Sequence, residues 1–340
     1  MSHVAGAWVD GWVRVTRAPA ILVGVVVLTM LGAIPFALTL RATLATHLGA
    51  SQMAQQAAAG VNYDWWQEFQ SQASGVGATF SPRIVGFAAT LDSLSAIADT
   101  RRETTALIGL LAAYVVVWTA LIGGIVDRYA RQRPTRVHGF AAASGTFFLR
   151  FLRLGIVSVL AYGWLFGYLH PWLFDERIPA LTRGLDSERA AFAWRAAGYA
   201  VFGALVVAAN VVFDYAKIRM VVEDRRSALG GLAAGFRFVW RHSAAVAGLY
   251  AVNTLVFLGL VAAWALVAPR VPAAGPGMWA ALLLGQGFIA ARLAAKLHFL
   301  ASQTSLFQAK LAHAGYVASP VAAWPESPAV EAVAGGAPRL

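Results

Sequence analysis

The stretch AILVGVVVLTMLGAIPFALTL, residues 20–40, runs without a charged side chain between Arg17 and Arg41. A helix satisfies every backbone donor and acceptor of such a stretch from within, and a span of about 20 residues crosses about 30 Å of hydrocarbon. Pro35 would break this helix in water but is tolerated in lipid where neighbours take up the freed carbonyl. Arg14 and Arg17 before the stretch, and small residues from Ala42 to Ala50 after it, give it the outline of a secretory signal. Its apolar part is longer than a signal core of roughly 7–15 residues, so a retained anchor is expected.

Five more blocks of this kind lie at about 105–126, 154–174, 193–213, 244–268 and 278–300. Composition points the same way: 59% of residues are hydrophobic, 13% are charged and the mean hydropathy is +0.62. A soluble domain carries about a quarter charged residues. The expected fold is an all-α polytopic membrane bundle of about six transmembrane helices, one membrane domain over residues 1–316. Residues 317–340, rich in Ala, Pro, Gly and Val, read as a disordered cytoplasmic tail. With no cysteine, disulfides, thiolate metal sites and a cysteine nucleophile are excluded.

Lys and Arg close to the spans resist translocation and so set orientation. Eighteen of the 27 Lys and Arg residues lie on the side made of the N-terminus, 127–153, 214–243 and the C-terminal side. The other side, 41–104, 175–195 and 269–277, holds nine, balanced by nine acidic residues. The whole formal +11 therefore sits on the first side, which is expected to be cytoplasmic, with both termini there, in a bacterial inner membrane. A nucleic-acid partner is not expected, because these cations flank lipid spans, where topology and anionic headgroups account for them.

The chain also repeats itself. Asp127, Tyr129, Ala130 and Arg131 end the second block; Asp214, Tyr215, Ala216 and Lys217 end the fourth. An offset of 87 carries Asp127 to Asp214, Arg150 to Arg237 and Phe151 to Phe238. Phe147-Phe148-Leu149-Arg150-Phe151-Leu152-Arg153 and Phe236-Arg237-Phe238-Val239-Trp240-Arg241 each run aromatic and basic into a new span, and Trp8, Trp12, Arg14 and Arg17 open the first. Three repeated hairpins are implied, each preceded by a cytoplasmic interfacial amphipathic helix. In 221–241, Leu229, Leu232, Phe236 and Val239 recur at helical spacing, so these side chains would lie at the acyl boundary. Arg150, Arg153, Arg225, Arg226, Arg237 and Arg241 are then candidates for anionic headgroups, and the bland alternative is that these helices only anchor the hairpins.

The pattern Asp-Tyr-Ala-Lys (214–217), Val-Val-Glu-Asp-Arg-Arg-Ser-Ala (221–228) and Gly-Phe-Arg-Phe-Val-Trp-Arg (235–241) resembles bacterial six-span proteins similar to the membrane domain attached to some glycerophosphodiester phosphodiesterases. The resemblance covers about 100–300, and the first hairpin in outline. It implies architecture and no catalytic residue, because that chemistry belongs to a separate soluble barrel with an early His-Arg-Gly motif that this chain lacks.

Direct search for chemistry gives negatives. The seven histidines are scattered, and there is no His-Glu-x-x-His helix, Gly-x-Ser-x-Gly turn or Walker loop. Glu223-Asp224 could hold a metal with phosphate or simply neutralise Arg225 and Arg226; the solvated charge run is the simpler reading. No cofactor and no metal is expected. Within the spans, Asn210, Asn253 and Gln286 could bond across helices or line a path. Arg292 and Lys296, four residues apart on one face, would snorkel to the cytoplasm or pair with Asp127 and Asp214, carboxylates that could equally pair with their own basic neighbours. His170-Pro171-Trp172 reads as an interfacial end to the third span.

The external segment 41–104, with Trp65-Trp66 and a break at Ser81-Pro82, reads as two amphipathic helices over the outer face. The functional expectation is a non-enzymatic membrane protein, structural, accessory or lipid-interacting, with membrane lipids as partners. A small-molecule or lipid transporter built on the repeats is the alternative, and an intramembrane enzyme comes third.

Overall fold

A computed structural model of the chain describes residues 2–49, 53, 54, 56, 62–80, 105–268 and 275–311. Among them every regular element is helical: α1 (Ser2–Thr16), α2 (Pro19–Leu48), α3 (Tyr63–Gln72), α4 (Thr105–Arg131), α5 (Val137–Thr182), α6 (Glu188–Val222), α7 (Ala228–Arg241), α8 (Ser243–Val267) and α9 (Gly277–Lys310). Six of these, α2, α4, α5, α6, α8 and α9, are long and apolar enough to cross a membrane, as in an integral membrane protein. The tail 317–340 and the break at Ser81-Pro82 lie outside the described residues.

Local chemistry sets the helix ends. Ala18 leaves helical geometry and Pro19 opens α2, where its missing N–H costs no hydrogen bond. Asn62 caps α3 by accepting from Trp65 N, and Ser227 caps α7 by accepting from Gly230 N. Gln132 and Asp224, at φ 52° and 50°, turn the chain out of α4 and α6. The helix of the third block does not stop at His170-Pro171. α5 continues to Thr182 by widening into π turns at Leu165–Leu169 and Trp172–Arg177, where His170 N and Ile178 N reach back to Leu165 O and Leu173 O. Widening on both sides of Pro171 makes room for a residue that cannot donate and whose ring crowds the preceding turn.

The main core sits at the basic end of the helices. Ile125 and Tyr129 of α4, Phe151 of α5, Ile218 and Met220 of α6, Leu249 of α8 and Leu297, Leu306 and Phe307 of α9 are all buried there. Toward the far end Leu111, Leu160, Val201, Leu258 and Leu283 are exposed, and a smaller cluster joins Leu165, Phe174 and Ile178 of α5 to Phe202 of α6. Beyond α2, α3 folds back: Trp65 donates Nε1 to His47 Nδ1 at 3.1 Å, and Phe69 is buried against the His47 and Phe80 rings.

Glycine lets the helices at the basic end meet almost backbone to backbone. A Cβ on Gly124 would stand 2.5 Å from Ser144 Oγ, so the start of α5 lies back along the end of α4. A Cβ on Gly235 would stand 2.8 Å from Ala216 N, and one on Gly231 2.6 Å from Met220 Cγ, so α7 runs antiparallel along the end of α6. This contact buries Ala228, Gly231, Ala234, Gly235 and Phe238. Of the four apolar residues read as one outward stripe, Leu229 and Phe236 are exposed, whereas Leu232 and Val239 pack partly on the core.

Candidate functional site

At the basic end α9 is the central helix, and α1 crosses it. Gly11 sits so close that a Cβ there would meet Ser302 Cβ at 2.8 Å, while Trp12 stacks on His298 at 4.3 Å and Trp8 meets the same ring edge-on. The polar run Ser302, Gln303, Thr304 and Ser305, beyond the apolar block that the sequence marked as the sixth span, is buried under this cover.

Arg14 ties α1 down. It is 6% exposed, its Nε donates to Asp10 Oδ2 at 2.7 Å, and its Nη1 donates to Tyr129 O at 2.9 Å and Gln308 Oε1 at 2.7 Å. Gln308 completes the ring by donating Nε2 to Ala130 O at 2.9 Å, and Arg128 donates to Arg17 O at 3.1 Å. Burial pushes the Arg14 guanidinium below its usual pKa range, and the Asp10 carboxylate opposes that shift. Sequence reading treated Arg14 as a topology charge. Asp10 is one turn away, but its other two partners lie 115 and 294 residues away, where no local pattern announces them.

The two carboxylates at the ends of α4 and α6 pair locally. Asp127 Oδ1 accepts from Arg131 Nε at 2.6 Å, and Asp214 Oδ1 from Lys217 Nζ at 2.6 Å, with Gln303 Nε2 at 3.5 Å from Asp214 Oδ2. The expected pairing with Arg292 and Lys296 is not formed. Lys296 Nζ stands 3.4 Å over the Trp118 ring and donates to Tyr114 Oη at 3.1 Å, and the Arg292 guanidinium lies 5.6 Å from the Phe288 ring. The reason is register. Gln308 on Ala130 puts the two cations roughly level with Tyr114 and Trp118, and Gln303 near Asp214 leaves Lys296 about two turns from that carboxylate, too far to pair.

The six candidate headgroup cations divide. Arg150 bonds Asp224 Oδ1 at 2.5 Å and the Arg225 carbonyl at 3.4 Å, and Arg225 bonds Glu223 at 2.5 Å, which Arg219 also grips at 2.9 Å. Glu223 and Asp224 therefore neutralise neighbours in the turn between α6 and α7. Arg153, Arg226, Arg237 and Arg241 are exposed, with Arg237 reaching its own helix at Ala233 O. Of the span residues, Asn210 donates to Tyr250 Oη at 3.2 Å and Asn253 to Ser302 Oγ at 2.9 Å, which fits interhelical bonding; Gln286 is half-buried. His170 packs against the Phe174 and Phe202 rings. Among the described residues no three His, Asp or Glu side chains converge as a metal would need.

No protein-family model, no curated protein and no solved structure matches this chain.

Proposed function

We propose that the chain is a multi-pass protein of a bacterial inner membrane, with both termini cytoplasmic, whose basic end holds anionic lipid in a structural or accessory role. The observation that carries this reading is the two-sidedness of α7. Its small face is clamped on α6, and its other face turns Leu229, Phe236 and Trp240 outward, Trp240 to 75% exposure, among exposed Arg226, Arg237 and Arg241. The start of α5 repeats the combination with exposed Leu149 and Leu152 beside Arg153. Rings and aliphatic chains suit the acyl boundary and guanidinium groups the phosphate layer, each cation contributing about 1 kcal/mol toward an anionic surface.

The same reading keeps the three repeated hairpins, with the turns from α4 into α5 and from α6 into α7 as corresponding basic entries. The local pairs Asp127 with Arg131 and Asp214 with Lys217, the buried Tyr129 and Tyr215, and the two glycine contacts support it. The resemblance over about 100–300 to bacterial six-span proteins similar to the membrane domain attached to some glycerophosphodiester phosphodiesterases supports the architecture and carries no catalytic residue. A transporter is the second reading, favoured by the cations of α9.

The test is purification of the full-length protein with its native lipid, followed by mass spectrometry of what copurifies. Anionic phospholipid should be enriched over bulk membrane, and the Arg226→Gln, Arg237→Gln, Arg241→Gln triple variant or high salt should remove most of that enrichment. A lipid profile identical in wild type, triple variant and high salt would refute the proposal.

A further inference from the structure

Arg292 and Lys296 occupy the middle of α9, 15 residues from Gly277 and 14 from Lys310 respectively. The last turns of α9 lie beyond the apolar block 278–300, but Lys296 stands over Trp118 and bonds Tyr114, which puts it about 12 Å or more from the basic end of the apolar block 105–126 at about 1.5 Å per residue. A charge at that depth is costly and marks a pathway or a ligand unless a partner neutralises it.

Neutralisation from within is incomplete. Among the described residues no carboxylate stands within ion-pair distance of either cation. Asp214 is the acid within electrostatic range of Lys296, and it is already held by Lys217, itself a cation within range of Lys296. With Asp214 paired to Lys217, Arg292 and Lys296 have no carboxylate of their own among the described residues.

Snorkelling does not relieve them. Gln308 bonds Ala130, an offset of 178 between α9 and α4, whereas Lys296 bonds Tyr114, an offset of 182. Lys296 therefore leans about one turn away from the basic end, as side chains of a helix tilt toward its start. Both cations remain exposed, next to partly exposed Tyr114.

We infer that Arg292 and Lys296, with Tyr114, form a binding site for a phosphate-bearing headgroup at mid-height of the bundle. Arg292 supplies a planar fork that matches two phosphate oxygens, and Lys296 supplies a point charge. Tyr114 accepts from Lys296 and keeps its own hydroxyl proton to donate to a third oxygen. Trp118 and Phe288 back the cations with ring faces that orient them and offer no competing anion. The phosphate belongs either to a membrane lipid or to a phosphoester from solution. This site shares with the preceding proposal the placement of the helices in a bilayer and uses none of the cations of the basic end.

The experiment is native mass spectrometry of the full-length protein in neutral detergent, titrated separately with phosphatidylglycerol, with a diacylglycerol of the same chains, and with glycerol 3-phosphate. Wild type should hold one phosphatidylglycerol that diacylglycerol does not replace, and Arg292→Gln or Lys296→Gln should weaken it about tenfold or more. The reciprocal Arg292→Lys, Lys296→Arg variant should keep most of the affinity, and the Arg226, Arg237, Arg241 triple variant should keep this single site even if it loses bulk lipid. Displacement of the lipid by glycerol 3-phosphate assigns the phosphate to a soluble phosphoester, and failure to displace it assigns a lipid. Diacylglycerol binding as tightly as phosphatidylglycerol to wild type overturns the site whatever the variants do. So does unchanged phosphatidylglycerol binding in Arg292→Gln and Lys296→Gln.

Discussion

Gly235 and Ala216 touch through their backbones: a Cβ on Gly235 would meet Ala216 N at 2.8 Å and Ala216 Cα at 3.0 Å. Rigid backbone, unlike the end of a flexible side chain, cannot step aside. Gly235→Ala should therefore lower the melting temperature in detergent, by an overpacking cost of about 1–3 kcal/mol, although alanine is the better helix former. Gly203→Ala, on the same α6 with open space around it, should instead be neutral or gain up to about 1 kcal/mol. Equal melting shifts for the two variants would mean that α7 is not clamped on α6.

Arg14 should be irreplaceable by lysine. Its fork serves Asp10 through Nε and both Tyr129 O and Gln308 through Nη1, a division one ammonium cannot reproduce. Arg14→Lys and Arg14→Gln should both destabilise, the second by less than the about 3–5 kcal/mol of a fully buried pair because Asp10 is 35% exposed. Limited proteolysis between α1 and α2 should speed up in both. A lysine variant that melts and digests like wild type would show that packing of Gly11, Trp8 and Trp12 alone seats α1.

Reporter fusions after residues 140 and 230 should read cytoplasmic, and fusions near 75 and 183 external. The last of these bears on α5, whose helix runs on past Pro171 to Thr182. A cytoplasmic reading at 75 or 183 contradicts the orientation drawn from the distribution of Lys and Arg.

Six spans were legible because hydropathy is a local property: each block of apolar residues between charged clusters became a helix of about the expected place. Hydropathy does not mark where a helix or its cover ends. Ser302 to Ser305 look like the start of a cytoplasmic tail, yet α1 lies across them, admitted by Gly11. A signal for this exists in Ala7 and Gly11, small residues one turn apart on the helix that carries Trp8 and Trp12. The pairs Asp127 with Arg131 and Asp214 with Lys217 were within reach of sequence, being one turn apart. The aromatic seat of Lys296 was not, because the relative register of α4 and α9 is fixed by Gln308 and Ala130, 178 residues apart.

A double-mutant cycle separates the local pair of Asp214 from a pair with α9. In the structure Lys217 Nζ is 2.6 Å from Asp214 Oδ1, with the two side chains 25% and 15% exposed, so each partly desolvated charge relies on the other. Asp214→Asn leaves Lys217 without its partner, and Lys217→Gln does the same to Asp214, so each single change should cost more than a surface pair, whose worth is about 0–1 kcal/mol. The double variant removes both charges together and should cost less than the sum, with a coupling of about 0.5–3 kcal/mol. Lys296 sits over Trp118 and bonds Tyr114 instead, so Asp214→Asn combined with Lys296→Gln should add within about 0.5 kcal/mol. The cycle is read from detergent melting of the three single and two double variants at low salt. Coupling of Asp214 to Lys296 in place of Lys217 would move the carboxylate's partner onto α9 and remove the unneutralised charge on which the phosphate site depends.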